Sequence, residues 1–293
     1  MLRKLLASSV AATTAVMSCQ TLGQSQNGQQ AIEEIEVFAD SRRTEGLTNT
    51  NAAISVLGEE ELDLILQTHY QEALARVPGF SGNRNNGQES LMALRSPVLT
   101  GAGACGAFLI AENGIPVRSA GFCNVNEMFD THSEYAQSIE VIRGPASAFW
   151  GSNALHGLVN VRLPDPGEIG ELTLEQGPRG SYRTKAAIGS DSGNFKQSLY
   201  LTGINEEGYR DDSGVDQQKA SWLYEYTLAN GIEMEGGFTY NNLNQETAGY
   251  VAGTKAYEDG NKRGTNPNPE AYRDSQSTRV WTRFTMESGD WEY

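Results

Sequence analysis

The stretch that decides the fold runs from Ile139 to Val161 and reads IEVIRGPASAFWGSNALHGLVNV. Its apolar ends, around Val141 and from Leu158 onward, are typical of two short strands. Gly144 and Pro145 predict a turn after the first strand, because proline fixes φ and glycine adopts conformations that other residues avoid. The small residues that follow suit close packing against a neighbouring surface. By itself, the stretch predicts a compact strand–turn–strand unit.

The Arg-Gly-Pro turn at 143–145, the small residues and the Phe-Trp-Gly triplet at 149–151 resemble the signature of the plug domain of TonB-dependent outer-membrane receptors. In that family, an N-terminal globular plug fills a large transmembrane β-barrel. The resemblance implies an α+β plug domain followed by antiparallel transmembrane β-barrel strands. It also implies that Arg95 and Arg143 pair with acidic residues on the barrel wall, since a buried charge needs a partner. A local role for Arg143, capping the preceding strand, is the alternative.

The first residues of the chain predict export from the cytoplasm. Arg3 and Lys4 precede an apolar run that ends at Met17, and small and polar residues follow. This layout is typical of a secretory signal peptide, predicted as residues 1–23, and the run is too short for a transmembrane helix. The alternative is a lipoprotein cleavage site in which Cys19 carries the lipid. No later stretch has eighteen consecutive apolar residues, which excludes a protein that crosses the membrane as helices.

The composition excludes nucleic-acid binding and argues against catalysis. The net charge is −15, acidic residues outnumber basic ones on both sides of Gly167, and Lys and Arg form no cluster that could neutralise phosphates. The sequence has only three His, no recognisable pair of catalytic carboxylates and no motif around a nucleophilic Ser or Cys. We therefore expect a protein that is not an enzyme, with no catalytic residue and no cofactor.

Cys105 and Cys123 remain after the leader, and two cysteines in an exported chain indicate one disulfide. Such a cross-link contributes about 3 kcal/mol by the chain-entropy argument. A metal pair is the alternative, but no histidine lies close by in sequence, and His132 lacks evident companion ligands. The glycines at 101–106 match the spacing of a dinucleotide fingerprint. The strand-like segment at 107–111 contradicts that match, because the fingerprint requires a helix there.

Residues 32–39, IEEIEVFA, form a short segment of alternating character before the plug. A small edge strand is the simpler interpretation. The segment also resembles the TonB box of the family, which pairs as an added strand with the energy-transducing TonB protein. The resemblance assigns this partner contact to the following residues: Glu33, Glu34, Ile35, Glu36, Val37 and Phe38.

The sequence next predicts a strand and then a helix that ends at a proline. Ile54 and Val56 alternate as in a strand, and the acidic residues after Gly58 favour a helix start because they suit the helix dipole. Pro78 and the glycine after it end the helix. We interpret His69, which lies between two apolar stripes, as a solvated turn residue rather than a ligand.

Two polar segments of the plug resemble family loops that form the floor of the ligand site. The first is GNRNNG at 82–87, predicted as a loop, and the second lies between 118 and 134. The Asn-Gly pair at 113–114, between strand-like segments, predicts a hairpin turn. A disulfide beside these loops serves as a structural staple or helps to shape the site. The resemblance assigns ligand contacts to the following residues: Arg84, Asn85, Asn86, Asn124 and Asn126.

After Gly167, segments of about ten residues carry one apolar face with aromatic residues near their ends, which is typical of transmembrane barrel strands. We count about six such segments and the beginning of a seventh at Trp291. Tight turns at 178–179 and 230–231 alternate with long polar connections at 206–219 and 247–274, as a barrel requires. A soluble β-sandwich would give a similar alternation.

The predicted organisation is a signal peptide at 1–23, a periplasmic tether with the box-like segment at 24–51, a plug at 52–166 and the first barrel strands at 167–293. Family barrels have 22 strands, so we expect the N-terminal part of a longer receptor of a Gram-negative cell outer membrane. The implied function is import of a scarce ligand. A ferric siderophore is the first expectation, ahead of cobalamin, haem and oligosaccharides. The implied partners are TonB, the ligand and outer-membrane lipid. An exported β-rich surface binding module without transport is the alternative.

Overall fold

The computed structural model describes residues 35–40, 42–84, 87–96, 108–118, 127–229, 231–288 and 291–292. They belong to one unit, Glu34–Tyr293. The predicted signal peptide, both mature cysteines and the glycines at 101–106 lie outside the described residues. No described helix is long and apolar enough to cross a membrane.

A small hairpin precedes the plug, which begins with a strand and two short helices. Their bounds are β1 (Glu36–Val37), β2 (Glu45–Gly46), β3 (Ile54–Gly58), α1 (Glu59–Ile65) and α2 (Tyr70–Leu74). The prediction of one continuous helix is wrong, because Leu66 adopts a left-handed conformation (φ 48°, ψ 48°) that ends α1. The prediction of a solvated His69 is also wrong. His69 is 1% exposed, and its Nδ1 accepts a hydrogen bond from the Gln71 amide at the start of α2.

The remaining plug elements are β4 (Phe80–Arg84), β5 (Ser90–Leu94), β6 (Phe108–Glu112), β7 (Ile115–Pro116), β8 (Ser138–Ile142), α3 (Ser147–Trp150) and β9 (Gly157–Arg162). The first half of the predicted polar loop at 82–87 is strand instead, since β4 pairs with β5. The main plug sheet has the order β3-β8-β9-β6-β7. β6 and β9 run parallel, and the other neighbours run antiparallel.

The Ile139–Val161 stretch forms two adjacent inner strands of this sheet, β8 and β9, with α3 and a 3₁₀ turn between them. Gly157 shows why a small residue is needed here. Its φ is +151°, and a Cβ at this position would overlap the backbone of Ile142 on β8. One face of the sheet packs on residues such as Leu74 and Phe129, and the other face packs on Trp150.

The second half of the chain forms one antiparallel sheet whose strands follow each other in sequence order. Its strands are β10 (Gly170–Gln176), β11 (Tyr182–Asp191), β12 (Phe195–Glu206), β13 (Val215–Thr227), β14 (Glu233–Glu246) and β15 (Tyr272–Thr285). A short helix, α4 (Gly260–Arg263), lies in the loop before β15. We call residues 52–166 the plug and β10–β15 the wall.

The structure confirms six barrel-like strands but corrects their ends. β13 and β15 begin earlier than predicted, so the long connections shrink to residues 207–214 and 247–271. Polar residues at the starts of these strands resemble loop sequence, yet they belong to strands that face the plug. The segment at Trp291 is β17 (Trp291–Glu292), a two-residue strand paired with β16 (Glu287–Ser288).

The two faces of the wall have opposite polarity. The outward face exposes apolar side chains such as Leu172 (69%), Val280 (75%) and Phe284 (59%). The inward face buries polar side chains against the plug, among them Gln217 and Asn241, which are both fully buried. A sheet with lipid on one side and a polar interior on the other has this pattern.

Candidate functional site

The plug contacts the wall chiefly through residues 127–135, a segment that we call the seat. It consists of two 3₁₀ turns, Glu127–Asp130 and Ser133–Tyr135. Short 3₁₀ turns leave backbone carbonyls without internal partners. Wall side chains provide those partners and also contact the side chains of the seat. They are Thr202, Gln217, Lys219, Ser221, Asn241, Ser277 and Arg279.

Lys219 of β13 and Glu134 of the seat form a buried ion pair. Lys219 Nζ lies 2.9 Å from Glu134 Oε1 and also donates to the carbonyl of Thr131 at 2.8 Å. Burial acts to raise the pKa of Glu134, but the positive charge of Lys219 prevails and holds that pKa below its usual value. Glu134 is therefore ionised at neutral pH, and the charge of Lys219 stabilises this ionised form.

A chain of amide and hydroxyl groups continues the contact onto β14 and β15. Gln217 donates to the Phe129 carbonyl at 3.0 Å and to Asn241 Oδ1 at 2.7 Å. Asn241 donates to Asp130 Oδ1 at 2.7 Å, and the Ser277 hydroxyl donates to the same oxygen at 3.0 Å. Three neighbouring wall strands thus hold one turn of the plug.

Glu112, the last residue of β6, is a second charged contact with the wall. Its Oε1 accepts from Arg279 at 2.8 Å and from Thr239 at 3.1 Å, and its Oε2 accepts from the His132 amide at 2.6 Å. Burial acts to raise the pKa of Glu112, but the Arg279 charge outweighs burial and lowers it. This carboxylate links the end of a plug strand to the seat and to the wall.

His132 is fully buried between the seat and the wall. Its Nδ1 lies 2.9 Å from the Ser221 hydroxyl, and its Nε2 lies 2.8 Å from the Thr202 hydroxyl. Burial lowers its pKa to about 4, so the ring is neutral at pH 7. Both nitrogens are engaged, and the described residues contain no cluster of His, Cys, Asp or Glu that could hold a metal ion.

The N-terminal segment is attached under the plug sheet at Glu140, a fully buried residue of β8. The Phe38 amide donates to Glu140 Oε1 at 3.0 Å, and the Asn160 side chain donates to Oε2 at 3.1 Å. The Trp150 indole donates to the Ala39 carbonyl at 2.7 Å. Burial raises the pKa of Glu140, and the hydrogen bonds from Asn160 and Phe38 oppose that rise. We call residues 36–39 with Glu140 the latch.

A cavity of about 440 Å³, which we call the hairpin cavity, opens between the plug hairpin β4–β5 and the wall. It lies at the Glu206 end of β12, whereas the latch lies near the opposite strand ends. Arg84 of the hairpin, Arg179 of the first wall turn and Arg210 of the loop after β12 line it. The Arg179 guanidinium lies 5.1 Å from the Tyr209 ring centroid.

The structure places some of the predicted site residues and leaves others outside its described part. Arg84 lines the cavity, and Ile35, Glu36, Val37 and Phe38 lie in or beside β1. The predicted residues outside the described part are Glu33, Glu34, Asn85, Asn86, Asn124, Asn126, Cys105 and Cys123.

Arg95 and Arg143 lie next to each other. Arg95 Nη1 donates to the Arg143 carbonyl at 2.5 Å, and Arg143 Nε is buried without a hydrogen-bond partner among the described residues. Neither guanidinium forms an ion pair within that part of the chain, so their pairing with barrel acids stays a prediction. Among the described residues, the seat and Glu89, Glu112 and Asn113 of the plug contact the wall. None of these contacts, nor the role of Glu140, was predicted from the sequence.

The chain matches known proteins in sequence and in structure. Residues 47–158 match the family model described as the TonB-dependent Receptor Plug Domain. The vitamin B12 transporter BtuB of Photobacterium profundum is 28% identical over 165 residues, which are 55% of this chain and 26% of that protein.

Two solved structures share the fold. P. aeruginosa FpvA, bound to heterologous pyoverdines, superposes with a TM-score of 0.71 at 14% identity, over 87% of this chain and 34% of FpvA. The siderophore receptor PiuA of Acinetobacter baumannii superposes with a TM-score of 0.64 at 16% identity, over 84% of this chain and 35% of PiuA. The chain thus spans about a quarter to a third of the length of these relatives.

Proposed function

Since this chain belongs to the TonB-dependent receptors, which are Gram-negative outer-membrane proteins and not enzymes, we propose that it imports a ligand with energy supplied through TonB. The latch is the observation that carries this proposal. It places β1, which belongs to the box-like segment, against the plug. This contact lies near the wall-strand ends opposite the cavity. A pull on that segment therefore acts directly on β8, an inner strand of the plug sheet.

TonB would bind Glu33, Glu34 and residues 35–38 by adding a strand to them. In the free protein β2 already pairs with β1, and the Leu47 amide donates to the Ile35 carbonyl at 2.7 Å. Strand addition therefore competes with this hairpin and with the bond from the Phe38 amide to Glu140. The seat, with its buried Lys219–Glu134 ion pair, holds the plug until that force is applied.

We assign the ligand to the ferric siderophores. Its first contact is assigned to the hairpin cavity between β4–β5 and the wall. Arg210 donates from Nη2 to the Thr265 carbonyl at 2.7 Å, a neutral acceptor that leaves its charge uncompensated. In the described part of the chain, neither Arg179 nor Arg210 forms an ion pair. Uncompensated guanidinium groups favour oxygen-rich anionic ligands, and many ferric chelates are of that kind. FpvA is bound to pyoverdines, and PiuA is a siderophore receptor.

Three further assignments belong to the same proposal. Residues 1–23 act as the signal peptide, Cys105 and Cys123 form a disulfide beside the ligand loops, and Arg95 and Arg143 pair with acids of the barrel. The outward face of the wall disfavours the alternative of a surface binding module. Exposed Leu172, Val280 and Phe284 would meet water in such a module, whereas in a membrane they meet lipid.

The test is uptake of iron-55 siderophores by cells that carry the receptor in the outer membrane, with and without TonB. Val37→Pro removes a backbone donor from β1 and prevents strand addition, so we expect surface binding to persist and uptake to fall to the TonB-free level. Val37→Ala is the control and should retain uptake. Equal uptake with and without TonB would overturn the proposal.

A further inference from the structure

Phe38 contacts the plug and the wall at the same time. Its ring centroid lies 5.8 Å from the Arg162 guanidinium of β9 and 5.1 Å from the Arg283 guanidinium of β15. Both distances are within reach of cation–π attraction. The backbone amide of Phe38 is meanwhile fixed by Glu140 at 3.0 Å.

Arg283 connects three parts of the molecule. Its Nη1 donates to Glu235 of β14 at 2.6 Å, and its Nη2 donates to the carbonyl of Asn113 in the plug at 3.1 Å. Its guanidinium also lies 5.6 Å from the Trp281 ring centroid. One wall side chain therefore contacts the wall, the plug turn and the N-terminal segment.

The plug turn at Asn113 and Gly114 is shaped to receive the Phe38 ring. Gly114 has a φ of +76°, and a Cβ there would overlap Phe38 Cε1 and lie 3.3 Å from Arg283 Nη2. The Gly114 amide donates to Asn160 Oδ1 at 3.0 Å, and Asn160 in turn donates to Glu140. Glu140 accepts from the Phe38 amide, and the Asn113–Gly114 turn lies next to the Phe38 ring. Both thus belong to one hydrogen-bond network.

From this geometry we propose that Phe38 is a positioning residue that locks the plug to the wall through Arg283. While the latch is docked, the ring confines the Arg283 guanidinium against the Asn113 carbonyl. Withdrawal of residues 36–39 removes the ring and frees Arg283 to leave the plug. The order of events is then fixed, since the N-terminal segment must leave before this edge of the plug can separate from the wall. The inference rests on the proposed function and adds a means of regulation to it.

The experiment uses the full-length receptor in outer-membrane vesicles and a Val37→Cys reporter. Val37 is 0% exposed in the docked segment, so maleimide labelling of this cysteine measures undocking. The same receptor without the added cysteine gives the background. Without ligand or TonB, Phe38→Leu and Arg283→Gln should each raise the labelling rate about fivefold to tenfold, the effect of losing an interaction of roughly cation–π strength. Phe38→Tyr, which keeps the ring face, should label at the starting rate.

The double variant decides whether the two residues act together. If they form one lock, Phe38→Leu with Arg283→Gln should label no faster than either single variant. An unchanged rate in Arg283→Gln, or effects that multiply in the double variant, would overturn the lock. Siderophore binding by each variant confirms that the receptor has folded. Loss of TonB dependence in wild-type uptake would overturn the proposed function while leaving the labelling result intact.

Discussion

Lys219 Nζ and Glu134 Oε1 lie 2.9 Å apart across the boundary between wall and plug, and the two side chains are only 3% and 9% exposed. A buried ion pair adds little net stability over an apolar pair, but removal of one partner leaves an unpaired charge in the interior. The seated plug therefore tolerates both charges or neither, because a single remaining charge would be buried without a partner.

Lys219→Met should destabilise the seated plug by about 3–5 kcal/mol, because Glu134 then has no counter-charge in the interior. Thermal unfolding and protease sensitivity of the plug segments in the purified receptor measure this effect. Lys219→Met combined with Glu134→Leu should recover most of the loss. The matched control is Lys196→Met, which breaks the more exposed Lys196–Glu225 pair and should change stability by about 0–1 kcal/mol. Similar losses in both single variants would contradict this interpretation.

His132 should make the plug less stable as the pH falls from 6.5 towards 4. Its pKa is lowered from the ordinary histidine value of 6.5 to about 4 in the folded protein, so the unfolded chain binds the proton more readily in that window and stability drops. At 1.36 kcal/mol per pKa unit, the full effect is about 3 kcal/mol. His69 acts in the same direction, since its pKa is lowered to about 3.

Denaturant unfolding at a series of pH values checks this expectation. His132→Gln should lower the slope of stability against pH between 6.5 and 4 without abolishing it, because His69 remains. A slope that does not respond to His132→Gln would show that this ring does not carry the dependence.

The wall strands could be predicted from the sequence because polar and apolar side chains alternate along them. Alternation in β11 places Arg183 and Lys185 on one face and Ile188 on the other, and the observed exposures follow that division. The Asn113–Gly114 turn was also predictable, since both residues take the positive φ that a tight hairpin needs. Such signals depend only on neighbouring residues.

The seat could not be predicted because its partners are distant in sequence. Gln217, Lys219 and Asn241 contact residues that lie 85 to 111 positions away. The 3₁₀ turns of the seat also have no periodicity from which burial could be inferred. Glu140 did carry a signal, because a charged residue within the apolar run Ile-Glu-Val-Ile requires a buried partner. Its partners proved to be the amide of Phe38, the side chain of Asn160 and the guanidinium of Arg162.

Gly114→Ala should undock the latch, whereas Gly193→Ala should not. Both glycines have positive φ, +76° and +82°, so each substitution carries a backbone strain of about 1–2 kcal/mol. Only Gly114 is covered by the Phe38 ring, and nothing lies within 4 Å of a Cβ at Gly193. Labelling of the Val37→Cys reporter should rise in the first variant and stay at the starting rate in the second. Equal labelling would mean that the ring does not need this space.

Arg179→Ala and Arg210→Ala should each weaken binding of an anionic ferric siderophore by about 10- to 100-fold, since a hydrogen bond to a charged group contributes about 1.5–3 kcal/mol. Equilibrium binding of ferric citrate and of a ferric catecholate, each at two salt concentrations, measures the effect. Arg263→Ala, in α4 and absent from the cavity lining, is the matched control. Because the seat lies elsewhere, thermal unfolding of the plug should be unchanged in all three variants. If cyanocobalamin instead bound tightly and its affinity ignored both arginines, the ligand would belong to the corrinoids, and the cavity arginines would have another role.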